Sequence, residues 1–320
     1  MRAPALLCSC AFVAPRARGS AVLYSSVISG EGRRVQNLYL PELDAHLCYH
    51  DLPGREPVCV YLHGLGSASS ADFPHIAHEL APYRALLIDL LGYGFSDRPA
   101  AFSHTLTAHA EIIARLLDHL GLRQCHVIGH SMGGSIGIAL AAARPDLVSG
   151  LVVAECNFDP EDATFSQMIV DQAKTEEEYS TAGHDAVVSQ AEGWAVSEPA
   201  LGSFPGTLRA ADPRAVYRCS VALVECHLRE TFFELGMPRV YVFGAKTLPH
   251  HHEPLLAAGG VPIAVVPEAG HMMTGENPEA FTAIIASTLS RSEIPQQYRR
   301  PAMPANAAAL LTDAAPKRKV

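Results

Sequence analysis

Cys125-His126-Val127-Ile128-Gly129-His130-Ser131-Met132-Gly133-Gly134-Ser135-Ile136-Gly137-Ile138-Ala139-Leu140-Ala141 is the stretch that decides how this chain reads. Its first four residues are short and largely apolar, as a buried strand is. From Gly134 onward it reads as a helix packed closely on that strand. Between them stands G-x-S-x-G, residues 129–133. A serine at the tip of a strand-to-helix turn has its hydroxyl lifted out of the sheet. The flanking glycines remove side chains that would clash where the chain reverses so tightly. The helix start behind the serine offers free N–H groups and a positive dipole end to a developing anion. Taken alone, the pentapeptide fits equally a glycine-rich turn with a bystander serine, so the rest of the chain has to arbitrate.

Strand and helix patterns alternate outward from this point. Val58 to Leu62 is an apolar run bounded by Pro57 and Gly64, and Ala85 to Leu90 is another. Both read as buried parallel strands. A short helix is expected over 71–80. Ile112, Ile113, Leu116, Leu117 and Leu120 give helical spacing from His109 to Leu120, with Gly121 as a stop. Leu151 to Ala154, Val240 to Phe243 and Ile263 to Val266 are further strands, and Phe281 to Leu289 is an apolar-faced helix. An antiparallel pair is expected within 35–50, with its turn inside Tyr39 to Tyr49. The alternation predicts an α/β fold: a mostly parallel sheet flanked by helices. The stretch from Asn157 to about Gly236 breaks the rhythm. It lacks strand runs, is rich in helix formers, as over 166–173 and 215–228, and holds the lone tryptophan, Trp194. An insertion between two core strands belongs over the carboxyl edge of the sheet, where open α/β sheets bind ligands. It reads as a helical cap.

Composition narrows the classes. The 320 residues are 48% apolar and 18% charged, as in a globular chain with a substantial core. A net charge of −9 argues against a nucleic-acid surface. No apolar run approaches the roughly 20 residues of a membrane span. The eight cysteines, at 8, 10, 48, 59, 125, 156, 219 and 226, form no CxxC pair and read as reduced residues of a cytoplasmic protein. Residues 1–30 carry Arg2, Arg16 and Arg18 and no acid, and read as a disordered extension or a weak targeting peptide. The Pro- and Ala-rich segment 293–320 reads as a disordered tail.

A serine hydroxyl is a weak nucleophile unless a base takes its proton. His271 leaves the sheet's carboxyl edge in Pro267-Glu268-Ala269-Gly270-His271, directly after the strand at 263–266, and is the candidate base. His63-Gly64-Leu65 follows the strand at 58–62. A turn there would aim the Leu65 N–H at Ser131 beside the Met132 N–H, the two donors an oxyanion hole needs.

With these residues in place the chain resembles the α/β-hydrolase fold superfamily. The resemblance rests on His63-Gly64, Asp89 to Pro99, Gly129-His130-Ser131-Met132-Gly133-Gly134 and Gly270-His271, in the same order and at similar spacing, and covers about residues 35–290. It implies a hydrolase core over 31–156 and 237–292, a cap over 157–236, and a Ser–acid–His triad built on Ser131 and His271. The Asp89 to Pro99 stretch resembles a loop that is usually structural. The acid departs from the commonest pattern, because Thr247 stands where many members carry an aspartate. Haloalkane-dehalogenase-like members place a glutamate after the strand that follows the nucleophile helix, and here that position is Glu155. Glu253, Asp159 or a dyad without an acid are the alternatives. Those relatives attack with an aspartate, whereas Ser131 suits an acyl carbonyl.

His250-His251-His252 with Glu253 suggests a metal site. Consecutive histidines in an extended loop are expected to point apart, which favours a solvated loop over a site where ligands converge. Gly64-Leu65-Gly66 lacks the rest of a dinucleotide motif. The expectation is a serine hydrolase for a small or medium carboxylic ester, with no cofactor or metal, a small-molecule ester as its partner, and an open oligomeric state. A non-catalytic binding protein and a lyase of the same fold are the competing readings. Phe158, Met168, Trp194, Phe204, Phe232 and Phe233 are candidate pocket walls, though each also suits the cap's own core.

Overall fold

The computed structural model describes residues 35–290 and 293–300. The reading of residues 1–30, Cys8 and Cys10 included, and that of 301–320 lie outside the described residues.

The apolar runs of the sequence become the inner strands of one eight-stranded sheet. They are β1 (Gln36–Leu40), β2 (Ala45–Leu52), β3 (Arg55–Leu62), β4 (Tyr83–Ile88), β5 (Cys125–His130), β6 (Val148–Ala154), β7 (Arg239–Gly244) and β8 (Ile263–Val266). Their spatial order is β1-β2-β4-β3-β5-β6-β7-β8. β2 lies antiparallel to β1 and β4, and every pair from β4 to β8 is parallel. Residue parity sorts each strand onto two faces. Val58, Val60 and Leu62 of β3 join one apolar cluster with the helices Leu106–His119 and Met132–Ala143. Cys59 and Tyr61 join the other, with Pro74–Glu79 and Pro278–Leu289. Both faces are therefore covered, which is why the inner strands are apolar throughout rather than alternating.

Two expectations need correction. The helix expected over 71–80 is two, Ser69–Asp72 and Pro74–Glu79. Pro74 lacks an N–H and disfavours helical geometry in the residue before it, so the chain breaks at Phe73 (φ −109, ψ −2) and restarts with the proline in its first turn. The tail expected from 293 is ordered to 300. Ile294 and Tyr298 pack on the second cluster, Arg299 pairs with Ala264, and the Arg300 Nε–H donates to Glu253 Oε2 at 2.6 Å. The average composition of the segment conceals these few anchoring side chains.

Between β6 and β7 the described chain is helical, with Thr164–Asp171, His184–Ser197, Phe204–Ala210, Pro213–Val224 and Arg229–Glu234 as its main pieces. It is tied to the loop after β4: the Arg218 guanidinium donates to the carbonyls of Ala100 and Phe102, and the Asp212 N–H to that of Gly92 at 2.8 Å. No helix among the described residues is long and apolar enough to cross a membrane.

Candidate active site

From β3 the chain crosses to β4 on one side, and then returns to β5 on the other. The loops after β3 and β5 part around a crevice, the switch point where open α/β sheets take ligands. Ser131 follows β5 directly, with φ 52 and ψ −124, a conformation an L-residue holds only when its surroundings impose it. The glycines make room for this. A Cβ on Gly129 would lie 2.4 Å from the Gly133 carbonyl oxygen, and one on Gly133 would lie 2.1 Å from that of Leu62. The Ser131 N–H is held by the Ala154 carbonyl at 2.8 Å, and the helix Met132–Ala143 begins at the next residue.

The loop after β3 comes up beside this turn. A Cβ on Gly64 would sit 3.2 Å from Ser131 Cβ, so Gly64 lets the strand end approach the serine closely and brings Leu65 to the pocket wall. His63 is fully buried and fastens the loop. Its Nε2 accepts from the Leu90 N–H at 3.1 Å, so the ring proton is on Nδ1, which donates to the Gly64 carbonyl at 2.8 Å. Burial lowers the His63 pKa, which keeps this neutral tautomer.

His271 and Glu155 meet across the rim, with Nδ1 2.9 Å from Oε2. Glu155 follows β6 directly, with φ 44. Its other oxygen, Oε1, accepts from the Gly244 N–H at 2.7 Å and from the Thr247 hydroxyl at 2.5 Å. Burial alone would raise this carboxyl. Its bond to His271, the imidazole's charge, and the Thr247 and Gly244 donors outweigh that and hold it below the ordinary glutamate value. Thr247 thus donates to the carboxylate that faces His271. The two alternative acids are engaged elsewhere. Glu253 receives Arg300 and the His250 N–H (2.7 Å), and Asp159 is paired with Arg229.

Three contributors were invisible in the sequence. His130 lies behind the rim, its ring 4.8 Å from that of His271, and its Nε2–H donates to the His271 carbonyl at 2.7 Å. Burial, reinforced by the neighbouring imidazole, pushes its pKa down to about 3, so it stays neutral and holds the His271 backbone. Asp72, beside the crevice, accepts from the Ser67 hydroxyl at 2.6 Å, and burial lifts its carboxyl to about 6. Phe165 joins Trp194 and Phe204 on the pocket wall. Phe158 and Phe232 are core residues instead, and Met168 and Phe233 pack against that core.

The cavity holding Ser131, Glu155 and His271 measures about 610 Å³, within the range of small-ligand sites. A larger one, about 990 Å³, lies at the opposite ends of β5 to β8, far from these groups.

The expectation that the three consecutive histidines splay apart is wrong. Their ring centroids lie 4.0–5.0 Å from one another. The loop is a compact turn leading into the helix Glu253–Ala258 rather than an extended strand. Asp162, arriving from the helical segment, gathers two of the rings.

Sheet order, covered faces and crevice are those of the α/β-hydrolase fold. The pattern of the family described as "alpha/beta hydrolase fold" matches residues 57–186. The chain has the α/β-hydrolase fold, and over that stretch it is similar to this family. Among curated relatives, it is 35% identical over 108 residues to a putative carbamate hydrolase RutD from Stutzerimonas stutzeri, covering 32% of this chain and 41% of that one. It is 39% identical over 80 residues to haloalkane dehalogenase 2 from Mycobacterium bovis, covering 25% of this chain and 28% of that one. The chain thus spans under half the length of either relative. The solved structure of an esterase (EaEST) from Exiguobacterium antarcticum superposes with a TM-score of 0.68 at 21% identity, covering 80% of this chain and all of that one.

Proposed function

We propose that the chain is a serine hydrolase acting on a small or medium carboxylic ester. The observation that carries this reading is Ser131, raised at φ 52 on the same rim as a buried glutamate bonded 2.9 Å from His271 Nδ1. That bond leaves Nε2 as the basic nitrogen. His271 takes the Ser131 proton as Oγ adds to the ester carbonyl, and the N–H groups of Leu65 and Met132 stabilise the oxyanion. Protonated His271, steadied by Glu155, returns the proton to the departing alkoxide. The acyl-enzyme then yields to a water activated by the same base. The helices over 157–236 form a cap that walls the pocket with Phe165, Trp194 and Phe204.

The pocket also narrows the substrate. Among the described residues, Asp72, Glu155, Glu161 and Asp162 line it, and no Lys or Arg does. Like charges in a desolvated cleft oppose an anionic substrate, so a neutral or amine-bearing ester fits better than a dicarboxylate.

A fluorophosphonate probe tests the reading. One adduct on Ser131 is expected, absent in Ser131→Ala, with p-nitrophenyl ester turnover lost in the same variant. A folded protein that takes no label on Ser131 overturns the proposal, and analysis of the products separates hydrolysis from lyase chemistry.

A further inference from the structure

We propose that Asp162, His251 and His252 form a binding site for a divalent transition metal of the zinc class. The site lies on the seam between the helical segment and the core and opens on the Ser131 pocket. Asp162 closes the turn Pro160–Asp162 that follows β6, and the two histidines precede the helix Glu253–Ala258 that follows β7. The two ends of the carboxylate differ. Oδ2 accepts the N–H groups of Phe158 (2.8 Å) and Asp159 (3.0 Å), besides lying 2.8 Å from His252 Nε2. Oδ1 meets only imidazole: His251 Nε2 at 2.9 Å and His252 Nε2 at 2.8 Å. Backbone donors thus fix the carboxylate while one oxygen is turned to two ring nitrogens.

Two imidazole nitrogens and a carboxylate oxygen are a donor set that zinc and its neighbours accept. The two Oδ1–Nε2 separations, 2.8 and 2.9 Å, match the edge of a six-coordinate shell with bonds of roughly 2.0–2.1 Å and fall about 0.4 Å short of a tetrahedral one. A metal replaces the two Nε2 protons and occupies the face these three atoms define. Charge favours a cation there. Asp159, Glu161 and Asp162 stand together against one guanidinium, Arg229, which Asp159 and Glu161 already hold. His251, its side chain 47% exposed, turns Nε2 to Oδ1. The third ring, His250, stacks on His251 at 4.4 Å and accepts the His252 N–H on Nδ1, which keeps it beside the site rather than in it.

His252 is buried behind the site, whereas Asp162 and His251 line the pocket with Ser131 and His271. The metal's remaining positions therefore face the pocket, open to water or to an oxygen of a bound molecule. A site with these ligands also joins the helical segment to the core through two residues 90 apart in sequence.

Full-length protein stripped with a chelator is titrated with Zn²⁺ against a chromophoric indicator, and with Co²⁺ while its visible absorption is recorded. One tight equivalent is expected, with Co²⁺ bands of a protein-bound ion. His251→Ala and His252→Gln should each weaken binding by at least about 10–100-fold, the loss typical even of residues that only support a ligand. His46→Ala, at an exposed histidine paired with Asp97 away from these ligands, should leave it unchanged. His252 is fully enclosed, so if His252→Gln unfolds, His251→Ala decides. Wild-type binding no tighter than that of His251→Ala overturns the site, as does an equivalent that survives both substitutions. Labelling of Ser131 in the same samples is independent: its loss with metal binding intact fails the hydrolase reading alone, and the converse fails the metal site alone.

Discussion

Two glutamates at neighbouring strand ends have side chains only 8% and 1% exposed, and they are put to different uses. Glu155, after β6, faces an imidazole, a hydroxyl and one backbone N–H. Glu253, beyond β7, faces the Arg300 guanidinium and a backbone N–H. Burial opposes the charge of both carboxylates, and each is offset by donors. The difference lies in the partner. An imidazole gains and loses a proton near neutral pH, whereas a guanidinium stays charged. A carboxylate behind imidazole can serve proton transfer at a serine, and one behind guanidinium can only hold the fold.

Substituting each glutamate breaks the comparison most directly. Glu155→Gln should cut kcat by about 10⁴-fold, the scale seen when a triad carboxylate becomes an amide. Glu253→Gln should leave kcat within about twofold while lowering stability by about 2 kcal/mol, because Arg300 loses its charged partner. Steady-state kinetics with a p-nitrophenyl ester, beside thermal melts, read both, and equal kcat losses would end the distinction. Thr247→Val sharpens it on one side. The variant removes the hydroxyl donor from Glu155 and should cost about tenfold in kcat, the equivalent of roughly 1.4 kcal/mol. Full activity in Thr247→Val would make the Thr247 contact incidental.

The last prediction reads stability against pH rather than activity. Native His130 refuses a proton until about pH 3, whereas an unfolded histidine titrates near its ordinary value of about 6.5. Between those limits the unfolded chain binds a proton that the folded chain does not, so stability falls as acid is added, by up to about 1.4 kcal/mol per pH unit. Glu155, with its carboxyl held low, adds stability above its unfolded value that is lost as pH falls through its folded one. His130→Gln should flatten the slope of Tm against pH between about 6 and 4. An unchanged slope would remove His130 from this account.

Legibility in the sequence followed the range of the physics involved. The strand at 263–266 was placed to the residue, and the other inner strands to within a few residues, because buried apolar runs and their glycine or proline stops are local signals. Pro74 is also local, and its break between two short helices was there to be read. Ser131 and His271 could be picked out because each sits in a short glycine-bearing turn at a strand end. Residues over 293–300 looked like tail because Ile294, Tyr298 and Arg300 matter only through distant partners. The histidine run reads as splayed for the same reason, since Asp162 gathers two of its rings from another part of the chain.

The sequence by itself determined the alternation of strand and helix, the turn that strains Ser131, and the helical interruption between β6 and β7. Hydrophobic period and glycine sterics act over a few residues and need no knowledge of what lies across the molecule. Only the tertiary structure decided which carboxylate stands behind His271, what Thr247 does, and where three imidazoles converge. Those outcomes join residues 116, 92 and 90 apart. Pairing of buried charges depends on distance and desolvation in space, which no local pattern encodes.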